Sequence, residues 1–264
     1  MHSESINIIN QIEEIGKVAA MVDRFGRRHA LPQRLLHYMN IALDEIISNI
    51  VQYGYDDRNE HEIRVRLILT GGELTVEVED DGRPFDPTKH ELVPVRADAA
   101  TRPIGGLGLH FVTTLMDNMR YSREGTINRL RVRKSTADDR AHAHGGLGRM
   151  DLIESREQGI TVVEITGRVD SSSAGTLRDR LTALVTGGAS ALLVDLHKVD
   201  YMTSAGFWSL LAAARLLEAH HGRLALCGVT GEVKRLFELT TFSEVFAIHP
   251  NRASAIASIH DSTR

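Results

Sequence analysis

The chain has a single cysteine, Cys227, which excludes an internal disulfide framework and fits a reducing cytoplasm. That thiol lies in the strand-like run Arg223-Leu-Ala-Leu-Cys-Gly, so a buried, inert side chain is expected. No apolar run approaches the ~18–20 residues that a membrane-spanning helix needs. Charge of neither sign predominates, since 31 basic and 35 acidic residues leave a formal net charge of −4. Such a balance gives no reason to expect nucleic acid or an anionic membrane as partner. Glu4, Glu13, Glu14 and Asp23 spoil any signal-peptide reading of the first thirty residues. Two common phosphate-binding signatures are also missing. The glycine run Gly105-Gly106-Leu107-Gly108 has no Lys-Ser/Thr ending, so it is not a P-loop, and it does not directly follow a strand, so a Rossmann reading fits poorly.

What is present is a soluble globular composition, 42% apolar and 25% charged, over 264 residues, enough for one large domain or two ordinary ones. Residues from about 8 to 30 carry Ile8, Ile12, Ile15, Val18, Val22 and Phe25 at helical spacing, and a helix is expected there. A second helix should begin just after Pro32 and stop at Gly54, with Ile41, Leu43, Ile46, Ile47 and Ile50 as its apolar stripe. Within it Glu45 and Asn49 project from one face, one turn apart. A carboxylate there can orient or deprotonate a hydroxyl, and an amide oxygen can hold a hard cation. Mg²⁺ takes few protein ligands beside water and phosphate oxygens, so one Asn can suffice. A solvated Glu and Asn would show the same spacing.

From Glu62 the period changes to two, and Gly71-Gly72 folds the chain into an antiparallel hairpin. Its second strand runs into Asp80-Asp81-Gly82-Arg83-Pro84, a turn that can hold a carboxylate at a fixed height to accept an exocyclic amine such as that of adenine. Taken alone, Asp-Asp-Gly is most often just a turn. The weakly patterned stretch from Thr88 to Pro103 has the length of a lid, a binding loop or a disordered segment. The glycines after it open a helix through Leu115 and Met116, and such glycines let backbone N–H groups approach phosphate oxygens. Strands at Asn118–Ser122 and Ile127–Val132 close this half.

The order of these pieces, Glu/Asn on a helix, Asp-x-Gly after a strand, a long loop and Gly-x-Gly into a helix, resembles the GHKL (Bergerat) ATPase domain. Among its members it looks most like the serine-kinase anti-sigma factors. The resemblance implies an α/β sandwich over residues 1–134, with ATP and Mg²⁺ as cofactors. It implies Glu45 as the base or hydroxyl-orienting group and Asn49 as Mg²⁺ ligand. Asp80 would read the adenine amine, with Gly82 allowing close approach, and Gly106, Leu107 and Gly108 would cradle phosphate. Tyr53 stands where many relatives carry His, and Arg102 is the nearest cation before the glycines.

Residues 135–149 are polar, small and aperiodic and read as a linker, in which His142 and His144 are taken as solvated rather than metal-binding. Beyond them Ile160, Val162, Val163 and Ile165 are strand-like, and Asp170, Ser171, Ser172 and Ser173 offer N-caps for a helix bearing Leu177, Leu181, Leu184 and Val185. Ala191–Leu196 has the character of a central strand. A helix from about Ala205 to Ala219, a strand at Leu224–Cys227 and a helix from about Gly231 to Leu239 come next, which predicts a small α/β layer fold. Residues 150–264 resemble the STAS domain of anti-sigma factor antagonists, in which the serine of an Asp-Ser-Ser/Thr-Gly turn is phosphorylated. Here that position is Ser204 in Met202-Thr203-Ser204-Ala205-Gly206. Thr203 replaces the usual Asp and offers a second acceptor.

Together the two resemblances imply a two-domain α/β, cytoplasmic partner-switching protein: a serine/threonine kinase that phosphorylates its own Ser204 or a partner's STAS serine. They further imply a sigma factor, a separate anti-sigma factor or antagonist, a phosphatase of the PP2C type, and a homodimer through the kinase domain. A fifteen-residue linker spans roughly 20 Å, so docking within one chain and transfer between two chains are both open. The other reading is a non-catalytic ATP-sensing module. A sensor histidine kinase would need a two-helix phosphoacceptor domain upstream of Glu45, and a DNA-repair ATPase a transducer domain where the STAS-like pattern stands.

Overall fold

A computed structural model describes residues 1–89, 107–138, 149–239 and 245–261, and the chain divides into two compact units. The N-terminal unit is built on a five-stranded antiparallel sheet of order β1-β2-β3-β5-β4. Its strands are β1 (His2–Ile9), β2 (Glu62–Thr70), β3 (Glu73–Asp80), β4 (Asn118–Glu124) and β5 (Ile127–Ser135). Its helices are α1 (Ile15–Arg28), α2 (Gln33–Tyr53) and α3 (Leu107–Leu115). Alternation puts Ile63, Val65, Leu67, Leu74, Val76, Val78 and Val132 on the buried face, each at most 1% exposed. On the opposite face charges pair across the strands, Arg129 with Glu79 at 2.6 Å, Arg131 with Glu77, and Arg133 with Glu73 at 3.1 Å. α1 packs on β1 and on α2, and α3 packs on α2. Between its two neighbours α2 is buried nearly all round from Leu35 to Ser48.

The expected helix from residue 8 is corrected at its start. His2–Ile9 form an edge strand, with Ile6 opposite Val65 and Ile8 opposite Ile63. Ile8 satisfies the period-two pattern of β1, and a short 3-10 turn at Ile12–Glu14 separates it from α1. The Gly71-Gly72 hairpin forms as expected, with both glycines at positive φ (59° and 80°) as a two-residue turn requires. Ser135, placed at the start of the expected linker, is the last residue of β5. Thr136 continues the docking by bonding the Gly72 carbonyl through both its N–H and its hydroxyl, each at 2.8 Å.

The second unit has a sheet of order β10-β9-β8-β7-β6. An antiparallel hairpin, β6 (Asp151–Glu157) and β7 (Ile160–Val169), leads into β8 (Ala191–Met202), β9 (Arg223–Cys227) and β10 (Ala247–His249), all parallel to β7. The helices are α4 (Ala174–Thr186), α5 (Ser204–Ala219), α6 (Gly231–Leu239) and α7 (Arg252–Asp261). β8 is central, in keeping with its unbroken apolar start. β10 and α7 have no counterpart in the sequence reading. α7 lays Ala255, Ile256 and Ile259 on Ile160, Val162, Leu193, Ala225 and Cys227. Cys227 is buried as expected, and that burial pushes its thiol up to about 12.

Arg252, the first residue of α7, ties that helix to three strands. Its guanidinium meets Asp195 of β8 at 2.5 Å, Glu157 of β6 at 3.1 Å and Glu164 of β7. Asp195 is 3% exposed. Burial pushes its carboxyl up, but the donors on Arg252 and His197 outweigh that and hold it below the usual range.

Candidate functional site

α2 brings Glu45 and Asn49 to the site. Glu45 is 4% exposed and Asn49 half-buried, and the Asn49 amide makes no hydrogen bond among the described residues. α2 ends at Gly54, which is right-handed rather than left-handed; its N–H still closes on the Ile50 carbonyl at 2.7 Å. The helix therefore stops because another segment takes its last carbonyls. The Gly54 carbonyl accepts the Arg83 N–H at 2.8 Å, and the Tyr53 carbonyl accepts Arg83 Nη2 at 2.6 Å. The turn after β3 is thus fastened to the end of the helix that carries Glu45 and Asn49.

Asp80 closes β3 in the inward phase of Leu74, Val76 and Val78 and is 7% exposed. Its Oδ1 accepts the Gly82 N–H and the Asn128 amide, both at 2.8 Å. Burial pushes the carboxyl above its usual range, against the pull of those two donors. Gly82 has no room for a side chain: a Cβ would lie 2.7 Å from the Gly54 carbonyl oxygen and 2.8 Å from Asp80 Oδ1. The close approach this glycine permits is to its own protein. Beside the turn, His61 stacks on Tyr55 at 4.1 Å and lies between Asp57 (2.9 Å) and Asp81 (3.1 Å). Burial and the Asp80 and Asp81 charges push the Tyr55 phenol well up.

Leu107 opens α3 as expected, and Gly108 is buried in its first turn. Gly105, Gly106, Arg102 and nearly all of the expected lid lie outside the described residues, as do His142 and His144. Asn128, Tyr121, Arg123 and His61 are absent from the sequence reading. Asn128 carries a signal all the same: it shares the phase of Leu130 and Val132, the inward one of β5, where a polar residue needs partners.

In the second unit, β8 delivers Thr203 and Ser204 to the start of α5. Thr203 is the N-cap and Ser204 the first residue of α5, and the Thr203 N–H reaches the Val169 carbonyl at 2.9 Å. Its hydroxyl is buried with no hydrogen-bond partner among the described residues, and Ser204 is 6% exposed. Gly206 lets α5 sit against the strands, since a Cβ would meet Val169 Cγ1 at 2.7 Å and Met202 Cγ at 2.8 Å. Ser209 pins α5 to the Ala174 carbonyl of α4 at 2.8 Å. Of the expected cap candidates of α4, Ser173 takes the N-cap position without a side-chain cap bond, and Asp170 Oδ1 gathers the N–H groups of Ser172 and Ser173 at 3.1 and 3.2 Å.

These two sites define a class: an α/β chain with a buried acid turn fastened to a polar helix on its first unit and a hydroxyl-bearing strand-to-helix turn on its second. Residues 9–134 match the model of the histidine kinase-like ATPase domain, and residues 154–255 match the STAS domain. Over 92 residues the chain is 38% identical to the serine-protein kinase RsbW of Listeria monocytogenes serotype 4a, covering 33% of this chain and 59% of that one. RsbW of Bacillus velezensis is 35% identical over 112 residues, 41% of this chain and 70% of its own length. A Bordetella bronchiseptica protein that carries the name anti-sigma factor antagonist BtrV is 31% identical over 109 residues, 41% of this chain and 94% of that protein. The chain belongs to the partner-switching family of anti-sigma serine-protein kinases and anti-sigma factor antagonists, with both kinds of domain on one polypeptide.

Proposed function

We propose that the N-terminal domain binds ATP and transfers its γ-phosphate to a STAS-domain serine, its own Ser204 or a partner's, and thereby controls the availability of a sigma factor. The observation that carries this reading is the fastening of the Asp80–Gly82 turn to the end of α2, the helix of Glu45 and Asn49. One element thus governs the height of the base-reading acid and of the polar pair. Asn49 fits a Mg²⁺ site, because its half-buried amide makes no hydrogen bond among the described residues. Bound there, the ion would offset negative charge on the phosphates. Glu45 orients the acceptor hydroxyl and takes its proton, while Asp80 accepts the exocyclic amine of the base. Backbone N–H groups at the start of α3, by Leu107 and Gly108, face phosphate, with Gly106 assigned the same role.

Ser204 at 6% exposure is not placed for attack, so transfer requires the Thr203–Ser204 turn to open first. A phosphate added there brings about −1.5 to −2 charges into a buried helix start, enough to remodel the docking surface offered to an antagonist or anti-sigma partner. Removal of that phosphate calls for a phosphatase, in keeping with the PP2C-type partner. The burial of Ser204 favours a second reading, in which the first domain senses ATP without transferring phosphate. Incubation with γ-labelled ATP separates the two. Label that disappears in both Ser204→Ala and Glu45→Gln supports transfer to this serine, and label kept in Ser204→Ala moves the acceptor elsewhere. Tight ATP binding with no label, with or without a separate STAS protein, supports the sensor.

A further inference from the structure

Asn128 of β5 is the most fully bonded side chain at the Asp80 turn. It is 6% exposed and stands opposite Asp80 in the strand register. Its Nδ2 donates to Asp80 Oδ1 at 2.8 Å and to the carbonyls of Gly82 and Arg83 at 3.2 and 3.0 Å. Its Oδ1 accepts the Tyr121 hydroxyl at 2.7 Å and Arg123 Nη1 at 2.5 Å. Arg123 Nη1 also donates to the Gly82 carbonyl at 3.0 Å. The orientation of the amide is fixed by chemistry, since carboxylate and carbonyl oxygens accept here and a guanidinium only donates.

Few side chains of this size offer two donors on one side and an acceptor on the other. Aspartate would set a second carboxylate against Asp80, and leucine would strand donors and acceptors alike. The carboxyl of Asp80 would otherwise turn about a broad two-fold torsion. With Oδ1 held by two donors, Oδ2 is the oxygen left without a hydrogen bond among the described residues.

Resting on the reading of Asp80 as the acid that takes the adenine amine, we propose that Asn128 is a positioning residue for nucleotide recognition. It holds Asp80 Oδ1 so that Oδ2 is presented to the base, and the β4–β5 hairpin, through Tyr121 and Arg123, sets Asn128. Arg83 fastens the same turn from the side of α2, so the two clamps fix it between them.

The test is calorimetric titration of the full chain with Mg-ADP and with purine riboside diphosphate, which lacks the exocyclic amine. Wild type should bind ADP the tighter. Asn128→Ala should weaken ADP about tenfold, the scale of a lost hydrogen bond to a charged group, and change the analogue less than about twofold. The pH midpoint of ADP binding should also move up, because the ionised Asp80 loses a donor. Tyr121→Phe removes one donor to Asn128 without touching Asp80, and it should contract the preference about threefold if Asn128→Ala fails to fold. Equal weakening of both ligands, or none, with an unmoved pH midpoint, would overturn the proposal. A wild type that does not prefer ADP over its deamino counterpart would remove the reading of Asp80 itself, and this inference with it.

Discussion

Replacing Gly82 by alanine tests whether the turn after β3 is locked to α2. The added Cβ would lie 2.7 Å from the Gly54 carbonyl oxygen and 2.8 Å from Asp80 Oδ1, where ordinary contacts begin near 3.4 Å. Gly54 is backbone and Asp80 is held by two donors, so neither neighbour yields as a flexible side chain would. The turn must lift, which strains or breaks the Arg83 N–H bond to Gly54, a loss of about 1 kcal/mol. Overpacking adds about 1–3 kcal/mol. Alanine returns roughly 0.4–1 kcal/mol by restricting the unfolded chain. The net expectation is a destabilisation of about 2 kcal/mol, or an unfolding midpoint lowered by roughly 5–10 °C for a unit of this size. Because the chain has two units, the transition is followed by calorimetry with two components, and only the N-terminal one should shift. ADP affinity should fall in the same variant. An unchanged N-terminal transition together with unchanged ADP affinity would refute the packing of this turn against α2.

Gly16 gives the opposite case: it lies in α1 with nothing within 4 Å of an added methyl, so Gly16→Ala should stabilise by about 0.5–1 kcal/mol in denaturant unfolding. His61 has its pKa raised, first by the hydrogen bond to Asp57 and, after burial opposes it, by Asp81. A raised folded value means that the stability it lends is complete below the unfolded value of about 6.5 and is lost as pH rises through the higher folded one. The N-terminal transition should fall across that interval in wild type and be flatter in His61→Gln. Arg252→Met should cost about 2–4 kcal/mol in the STAS unit, because Asp195 keeps its charge without its main partner. Adding Asp195→Asn should restore part of that loss in the same unfolding assay, and no restoration would point to lost packing instead.

Much of this architecture is legible from periodicity. The Gly71-Gly72 hairpin, the span of α2, the central β8 and the helix after the glycine run are local events, decided by period, caps and turn residues. The apolar run of β8 announces a strand covered on both faces, and the alternation of β2 and β3 announces one covered face. The start of α1 is ambiguous in sequence because Ile8 satisfies both a helical and an alternating pattern; pairing with Ile63 across the sheet decides between them. α7 and β10 escape a reading by period because their segments are short and weakly patterned. Their place comes from Ile256 and Ile259 covering the sheet and from the parallel edge beside β9.

The sequence by itself determined which residue types stand on α2, at the end of β3 and at the start of α5, since those positions depend on local spacing and turn chemistry. Only the tertiary structure decided that Gly82 is needed by the Gly54 carbonyl, that Asp80 is steered by an asparagine 48 residues further on, and that Ser204 is buried. Hydrogen bonds between distant strands and burial under neighbouring elements depend on register and packing. No local pattern specifies either one.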